Sequence, residues 1–408
     1  MLSVGLVVTF YLTCALALFF LPVRRLLELC FFYQDRSRND SYAYLDVLRG
    51  LAALSVILLH YYLWNTAPLV DFASIGLITG GQKSVGVFFL LSSFLIWKSL
   101  RLDQIGKYAT SRIFRIYPLH VMMTFFFILQ AGSFLSLFKT GAPYLREALL
   151  WNIFTDNFVL FNGVAWSIVI EMQFYIAAPF LKYAYLKFPK FFVASLILSS
   201  AALLWVELNS TMFGINSFTS SQLPWLKFFI AGILLAIFID RLANTNVMRN
   251  PYVSGACILA AICIIDLDFN NIRTISYFLP LKPLAFRPDL AFPDLALGVC
   301  LLIVGLRANA HVASLLSHRP VRFLGVISYS FYLSQLPILG HFIPEISASA
   351  HPIAFVFFFV IPVHIVVSAL LFLVVETPFL MLSAWMKTLG REPGRKYLGA
   401  ELQQGAAP

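Results

Sequence analysis

Apolar residues fill this chain in long blocks, and the polar positions gather between the blocks. Eleven such blocks lie near 2–22, 45–64, 84–101, 116–135, 166–186, 191–208, 224–240, 252–268, 292–306, 324–343 and 354–375. Uninterrupted apolar stretches of about 18 residues or more read as helices that cross a bilayer. The pattern predicts an all-α fold, a polytopic transmembrane helix bundle of about 11 spans. The longer connections on one side are 65–83, 136–165 and 269–291, and the last is a loop because it holds Pro280, Pro283 and Pro288. No segment repeats at a fixed period.

Loop charge sets the orientation. Alternate connections carry 20 basic residues in one set, among them Arg24, Arg25, Arg112, Arg115, Lys182, Lys187 and Arg322, against 7 in the other. The basic set is cytoplasmic by the positive-inside rule, which leaves the N-terminus outside and the C-terminus inside. The start, Met-Leu-Ser-Val-Gly, lacks the basic n-region of a cleavable signal.

Composition supports the same class. Hydrophobic residues make up 60% of the 408 and charged residues 12%, where soluble domains carry about 25%. The net charge of +10 is spread over short loops, so it marks topology and excludes a nucleic-acid module. Cys14, Cys30, Cys257, Cys263 and Cys300 form no paired motif and imply neither disulfide nor zinc. No histidine spacing suggests a metal.

Ionisable residues inside spans are costly and mark function by default. Arg49 and His60 share the second block, a few residues from its inner and outer ends. Eleven steps of about 100° bring them within roughly 20° of one helix face, about 16 Å apart. Glu171 lies about 7–8 Å inside the span that opens at Trp166, and His60 about 6 Å inside its own, so the two are expected at similar depth in the outer third. Ser167, Glu171 and Tyr175 share a face at spacing i, i+4, i+8. Arg112 and Arg115, at i, i+3, are expected at the inner end of the span through Pro118. With Arg49 they make a cationic inner mouth suited to phosphate. Each feature has a plainer reading. His60 fits an aromatic belt with Tyr61, Tyr62 and Trp64, and Arg112 and Arg115 fit ordinary topology charges. Glu376 is either an interfacial acid or a partner for an inner arginine, and Ser328 and Tyr332 fit helix-packing contacts.

Several segments, in order, resemble the acyltransferase-3 family of integral membrane O-acyltransferases. They are Leu45 to Ala53 running on to His60, an Arg-x10-His pattern; Gly86 to Ile96; Arg112-Ile113-Phe114-Arg115-Ile116-Tyr117-Pro118; Trp166-Ser167-Ile168-Val169-Ile170-Glu171 running to Tyr175; Ile327 to Leu333; and Glu376-Thr377-Pro378. Ser93 stands where the family usually has Gly, and Gln335 where a His often follows Tyr-Leu.

The resemblance implies three regions: 1–41, an extra N-terminal span and linker; 42–380, a ten-span acyltransferase domain; and 381–408, a short cytoplasmic tail. It implies transfer of an acyl group, most often acetyl, from cytoplasmic acyl-CoA to a hydroxyl of an extracytoplasmic glycan or glycolipid, at a bacterial inner membrane and without metal. His60, Glu171 and Arg49 are then the catalytic candidates. Arg49, Arg112, Arg115 and Tyr117 are candidates for the coenzyme, and Trp166, Ser167, Tyr175, Ser328 and Tyr332 support them. On this reading His60 acts as general base or as a covalent acyl carrier, and Glu171 orients it. The rival reading is a secondary transporter of a small polar or anionic solute, which also places charged groups inside a bundle.

Overall fold

The computed structural model describes residues 28, 30, 42–63, 81–130, 147–150, 162–208, 223–270, 293–349 and 351–389. The expected first span, 2–22, and nearly all of the three long connections lie outside these residues. Among the described residues every regular element is helical. In chain order they are α1 (Leu45–Leu63), α2 (Gly81–Ser99), α3 (Ile105–Gln130), α4 (Trp166–Lys187), α5 (Pro189–Leu208), α6 (Leu223–Ala243), α7 (Pro251–Asn270) and α8 (Pro293–Ala308). Shorter pieces follow: α9 (Ala310–Leu316), α10 (Arg319–Val326), α11 (Ser328–Leu333) and α12 (Gln335–Ala348). A long closing helix then runs through α13 (Pro352–Phe355), α14 (Ile361–Leu371) and α15 (Thr377–Leu389), joined by π turns at Val356–Val360 and Phe372–Glu376.

The apolar blocks that fall among the described residues thus become helices, and these residues do not confirm the expected count of about 11 spans. Among the described residues, Pro189–Val206 and Val356–Thr388 are long and apolar enough to cross a membrane alone. Up to four cross if each bent pair counts as one span: α2 with α3, bent by 93°, and α8 with α9, bent by 104°. Two departures stand out. The block 324–343 is not one rod: Ile327 and Ser334 sit near φ −88° and ψ 0°, in the sparsely allowed bridge region, and break it into α10, α11 and α12. The last helix continues past residue 380 to Leu389, where Lys387 donates to Ser111 Oγ at 2.9 Å.

Two apolar cores flank α1. One gathers α2, α4, α6 and α8 around Phe89, Phe94 and Phe228; the other gathers α10 to α14 around Phe323, Phe331 and Phe372. Leu45, Ala52 and Val56 belong to the first core, and Leu54, Ile57 and Tyr61 to the second. Arg49 and His60 fall by spacing on the Leu45–Ala52–Val56 stripe, as the helix period requires.

Close backbone approach locks these layers. Any side chain at Gly325 of α10 would strike the backbone of Asp46 in α1. Beside it, Arg322 donates from Nε and Nη2 to Asp46 Oδ2 at 3.1 and 2.9 Å, with both side chains 5% exposed or less. Gly232 of α6 likewise lies against Leu90 O and Ser93 Oγ of α2, so Ser93 is accommodated by a glycine on the facing helix. At one end of the bundle Asp240 of α6 pairs with Lys98 of α2 at 2.6 Å and Arg307 of α8 at 3.6 Å.

Candidate functional site

A cavity of about 90 Å³ opens where α1, α2, α3, α4 and α11 converge. Each helix presents one face to it: Arg49 from α1; Val85, Phe88, Phe89 and Ser92 from α2; Arg112, Arg115 and Ile116 from α3; Ser167, Ile168, Glu171 and Tyr175 from α4; and Ser328, Tyr329 and Tyr332 from α11. Spacings of three and four residues recur on every multi-residue face, which is what places these side chains on one side of each helix. The break at Ile327 matters here, because it turns α11 so that Ser328, Tyr329 and Tyr332 line the cavity.

The lining holds three guanidinium groups and one carboxylate, a cationic chamber inside apolar walls. Arg112 lies over the rings of Tyr108 and Tyr175, 5.6 and 5.4 Å from their centroids. Arg115 reaches the buried Glu376, Nη1 to Oε2 at 3.7 Å, so Glu376 is the arginine partner rather than an interfacial acid. Glu376 also accepts from Ser330 Oγ at 2.5 Å. Its place at the end of a π turn fits the habit of such turns to re-aim a side chain.

Glu171 has different partners from those expected. Its Oε1 accepts from Ser92 Oγ at 2.5 Å and from Tyr175 Oη at 2.6 Å. Among the described residues no hydrogen bond joins it to His60. The expected separation of an arginine mouth from a deeper Glu171 does not hold either, because Glu171 shares one cavity with Arg49, Arg112 and Arg115. The reason lies in α3. It begins at Ile105, not near 116, so Arg112 and Arg115 sit about 10 and 15 Å inside the helix.

His60, partly buried near the C-terminal end of α1, is held elsewhere. Its Nδ1 lies 3.0 Å from Val56 O and 2.9 Å from Gln335 Oε1. Gln335 in turn donates from Nε2 to Tyr332 O at 2.8 Å. Tyr332 lines the cavity, so it links the His60 pair to the chamber although His60 is not itself in the lining. Ser167 Oγ bonds to Tyr332 Oη at 3.0 Å, and Tyr332 Oη donates to Val164 O at 3.1 Å.

The structure therefore brings together Arg49, Arg112, Arg115, Ser167, Glu171, Tyr175, Ser328 and Tyr332. Trp166 packs on Trp225, ring centroids 5.3 Å apart, and Tyr117 donates to Leu149 O at 3.2 Å; neither lines the cavity. Sequence reasoning missed Ser92 and the bond from Gln335. A lone serine in an apolar block carries no period or charge to single it out. Beside the chamber, an apolar cleft of about 500 Å³ runs between α3 and α4 from Leu102 and Ile105 to Pro179 and Tyr183, and it shares Arg112 and Tyr175 with the chamber. No group of three or more histidine, cysteine or acidic side chains with metal-site geometry occurs among the described residues.

Comparison with known proteins points the same way as the motifs. The model of the acyltransferase-3 family, an acyltransferase domain, matches residues 42–374. The acyltransferase MdmB of Streptomyces mycarofaciens is 27% identical over 388 residues, covering 84% of this chain and 91% of that protein. The peptidoglycan O-acetyltransferase OatA of Listeria monocytogenes is 24% identical over 331 residues, covering 72% of this chain and 49% of that protein. No solved structure matches significantly.

Proposed function

The chain belongs to the acyltransferase-3 family and is an O-acyltransferase built from apolar membrane helices; from that premise we propose that it moves a short acyl group from cytoplasmic acyl-CoA to a hydroxyl of an extracytoplasmic glycan. The observation that carries this reading is the convergence of Arg49, Arg112 and Arg115 on one chamber. Guanidinium groups pair with phosphate through parallel hydrogen bonds, and three of them around one space suit the phosphates or the thioester end of a coenzyme. Family membership favours this enzyme over the transporter alternative.

The donor enters from the cytoplasmic end, along the cleft between α3 and α4, with residues 42–380 forming the catalytic unit. A chamber of about 90 Å³ suits a small acyl group such as acetyl at the thioester end of the donor. His60 lies outside the chamber lining and reaches it through Gln335 and Tyr332, so the acceptor hydroxyl must come between its Nε2 and the thioester, where His60 takes the proton. The hydroxyl oxygen then attacks the thioester carbonyl carbon, and the coenzyme thiolate leaves and takes the proton back from the imidazolium. Ser167 or Tyr175 stabilises the transient oxyanion. Glu171 holds Ser92 and Tyr175 in place and offsets the positive charge of the arginines. The acceptor is an envelope glycan, in keeping with the peptidoglycan named for OatA, at a bacterial inner membrane.

The test supplies the purified protein with labelled acetyl-CoA and a hydroxyl-bearing glycan. Labelled glycan matched by an equal amount of free coenzyme supports the reading. No transfer, together with uptake of unmodified solute into vesicles, overturns it.

A further inference from the structure

We infer that Gln335 is a positioning residue that fixes His60 in the tautomer with its proton on Nδ1, leaving the Nε2 lone pair for proton transfer. The inference rests on the reading of His60 as the base. The directions of three hydrogen bonds fix this tautomer. Val56 O is a backbone carbonyl and can only accept, so the His60 Nδ1 at 3.0 Å must carry the proton. The two ends of the Gln335 amide have the same shape, and its neighbour settles which one faces His60. Tyr332 O is also a carbonyl and can only accept, so the atom 2.8 Å from it is the Gln335 amide nitrogen. The amide oxygen then faces His60 at 2.9 Å as a second acceptor for the same proton.

Both partners thus demand the same tautomer, and in a neutral imidazole only Nε2 is left as a base. The two acceptors differ in what they fix. Val56 lies one turn below His60 on the same helix, so its carbonyl follows α1 wherever α1 goes. Gln335 lies on α12, at the break beside Ser334, and is buried to 1% exposure. It therefore ties the imidazole to the segment that also carries Tyr332 into the chamber. A histidine at this position can be donor or acceptor and so leaves the tautomer open. A glutamine tied by its nitrogen to a carbonyl offers His60 an oxygen only.

The first reading is ¹⁵N NMR of the full-length protein with labelled histidine in detergent, with the His60 signals assigned by their loss in His60→Ala. We expect a protonated Nδ1 and an unprotonated Nε2 in the neutral form. A protonated Nε2 in the wild-type protein overturns the inference without any variant at position 335. The second reading compares Gln335→Met, which keeps side-chain length without an acceptor, with Gln335→Glu, which keeps an oxygen opposite Nδ1. We expect Gln335→Met to lower kcat about 10- to 100-fold with KM for acetyl-CoA within about 2-fold, part of what a general base contributes. Gln335→Glu should recover most of that loss. Wild-type kcat in a folded Gln335→Met, or equal loss in both variants, overturns it. If Gln335→Met does not fold, the NMR reading on the wild type and the kcat of Gln335→Glu decide. The reading beneath is separately exposed: normal turnover in His60→Ala removes His60 as base, whereas an inactive His60→Ala beside a fully active Gln335→Met sinks only the role of Gln335.

Discussion

Arg322→Met tests whether the ion pair between α1 and α10 holds the wall of the chamber. Arg322 donates twice to Asp46 Oδ2, at 3.1 and 2.9 Å, and the side chains are 5% and 1% exposed. Hydrogen bonds to charged groups contribute about 1.5–3 kcal/mol each. Breaking a buried pair from one side costs about 3–5 kcal/mol, because the remaining buried charge loses the opposite charge that balances it. Arg322→Met should therefore destabilise the protein by roughly 3–5 kcal/mol, at least a hundredfold in the folded-to-unfolded ratio. The double variant Asp46→Leu with Arg322→Met leaves neither charge alone, so it should recover a large part of that loss. Asp46 starts the segment that ends at His60, and Gly325 lets α10 touch the Asp46 backbone, so the pair also sets where Arg49 sits. Unfolding is followed in detergent with a fluorophore that reacts with newly exposed thiols, with the fully buried Cys30 as reporter in a background where Cys14, the exposed Cys263 and the half-buried Cys257 and Cys300 are replaced by Ser. A melting temperature unchanged in Arg322→Met, or destabilisations that simply add in the double variant, would refute the reasoning.

Further outcomes follow from the same geometry. Gly232→Leu must push α6 away from Leu90 and Ser93, at a cost of about 1–3 kcal/mol or more for overpacking, seen as a lower yield of folded protein and a lower melting temperature. Arg112→Lys removes the planar group that lies over Tyr108 and Tyr175, and KM for acetyl-CoA should rise about tenfold with kcat changed less, by steady-state kinetics. Glu171→Gln keeps an acceptor for Ser92 and Tyr175 but not the charge, and kcat should fall about 10-fold or more while the melting temperature stays within a few degrees; unaltered kcat would remove Glu171 from the account.

Much of this was legible in the chain. Helix positions follow from the apolar blocks, and the common stripe of Arg49 and His60 follows from the 3.6-residue period. Ser167, Glu171 and Tyr175 meet the arginines because i, i+4 spacing leaves them no other face. What the sequence concealed depends on where helices begin and break. Periodicity does not show that α3 starts at Ile105, since Lys107, Arg112 and Arg115 interrupt the apolar signal there, and that one shift carries both arginines into the chamber beside Glu171. Nor does it show the turns at Ile327 and Ser334, which aim α11 at the chamber and bring Gln335 to His60. The partner of His60 lies 275 positions away in sequence, and only tertiary packing makes that choice.

In the proposed reaction His60 is the group that activates the acceptor. The most direct measurement is the initial rate of coenzyme release by purified His60→Ala, with acetyl-CoA and a glycan acceptor, in protein whose melting temperature matches the wild type. The account predicts a fall of about 10²- to 10⁴-fold, the contribution of a positioned general base, with KM for acetyl-CoA little altered. A folded His60→Ala that releases coenzyme and acylates glycan at near the wild-type rate would contradict it.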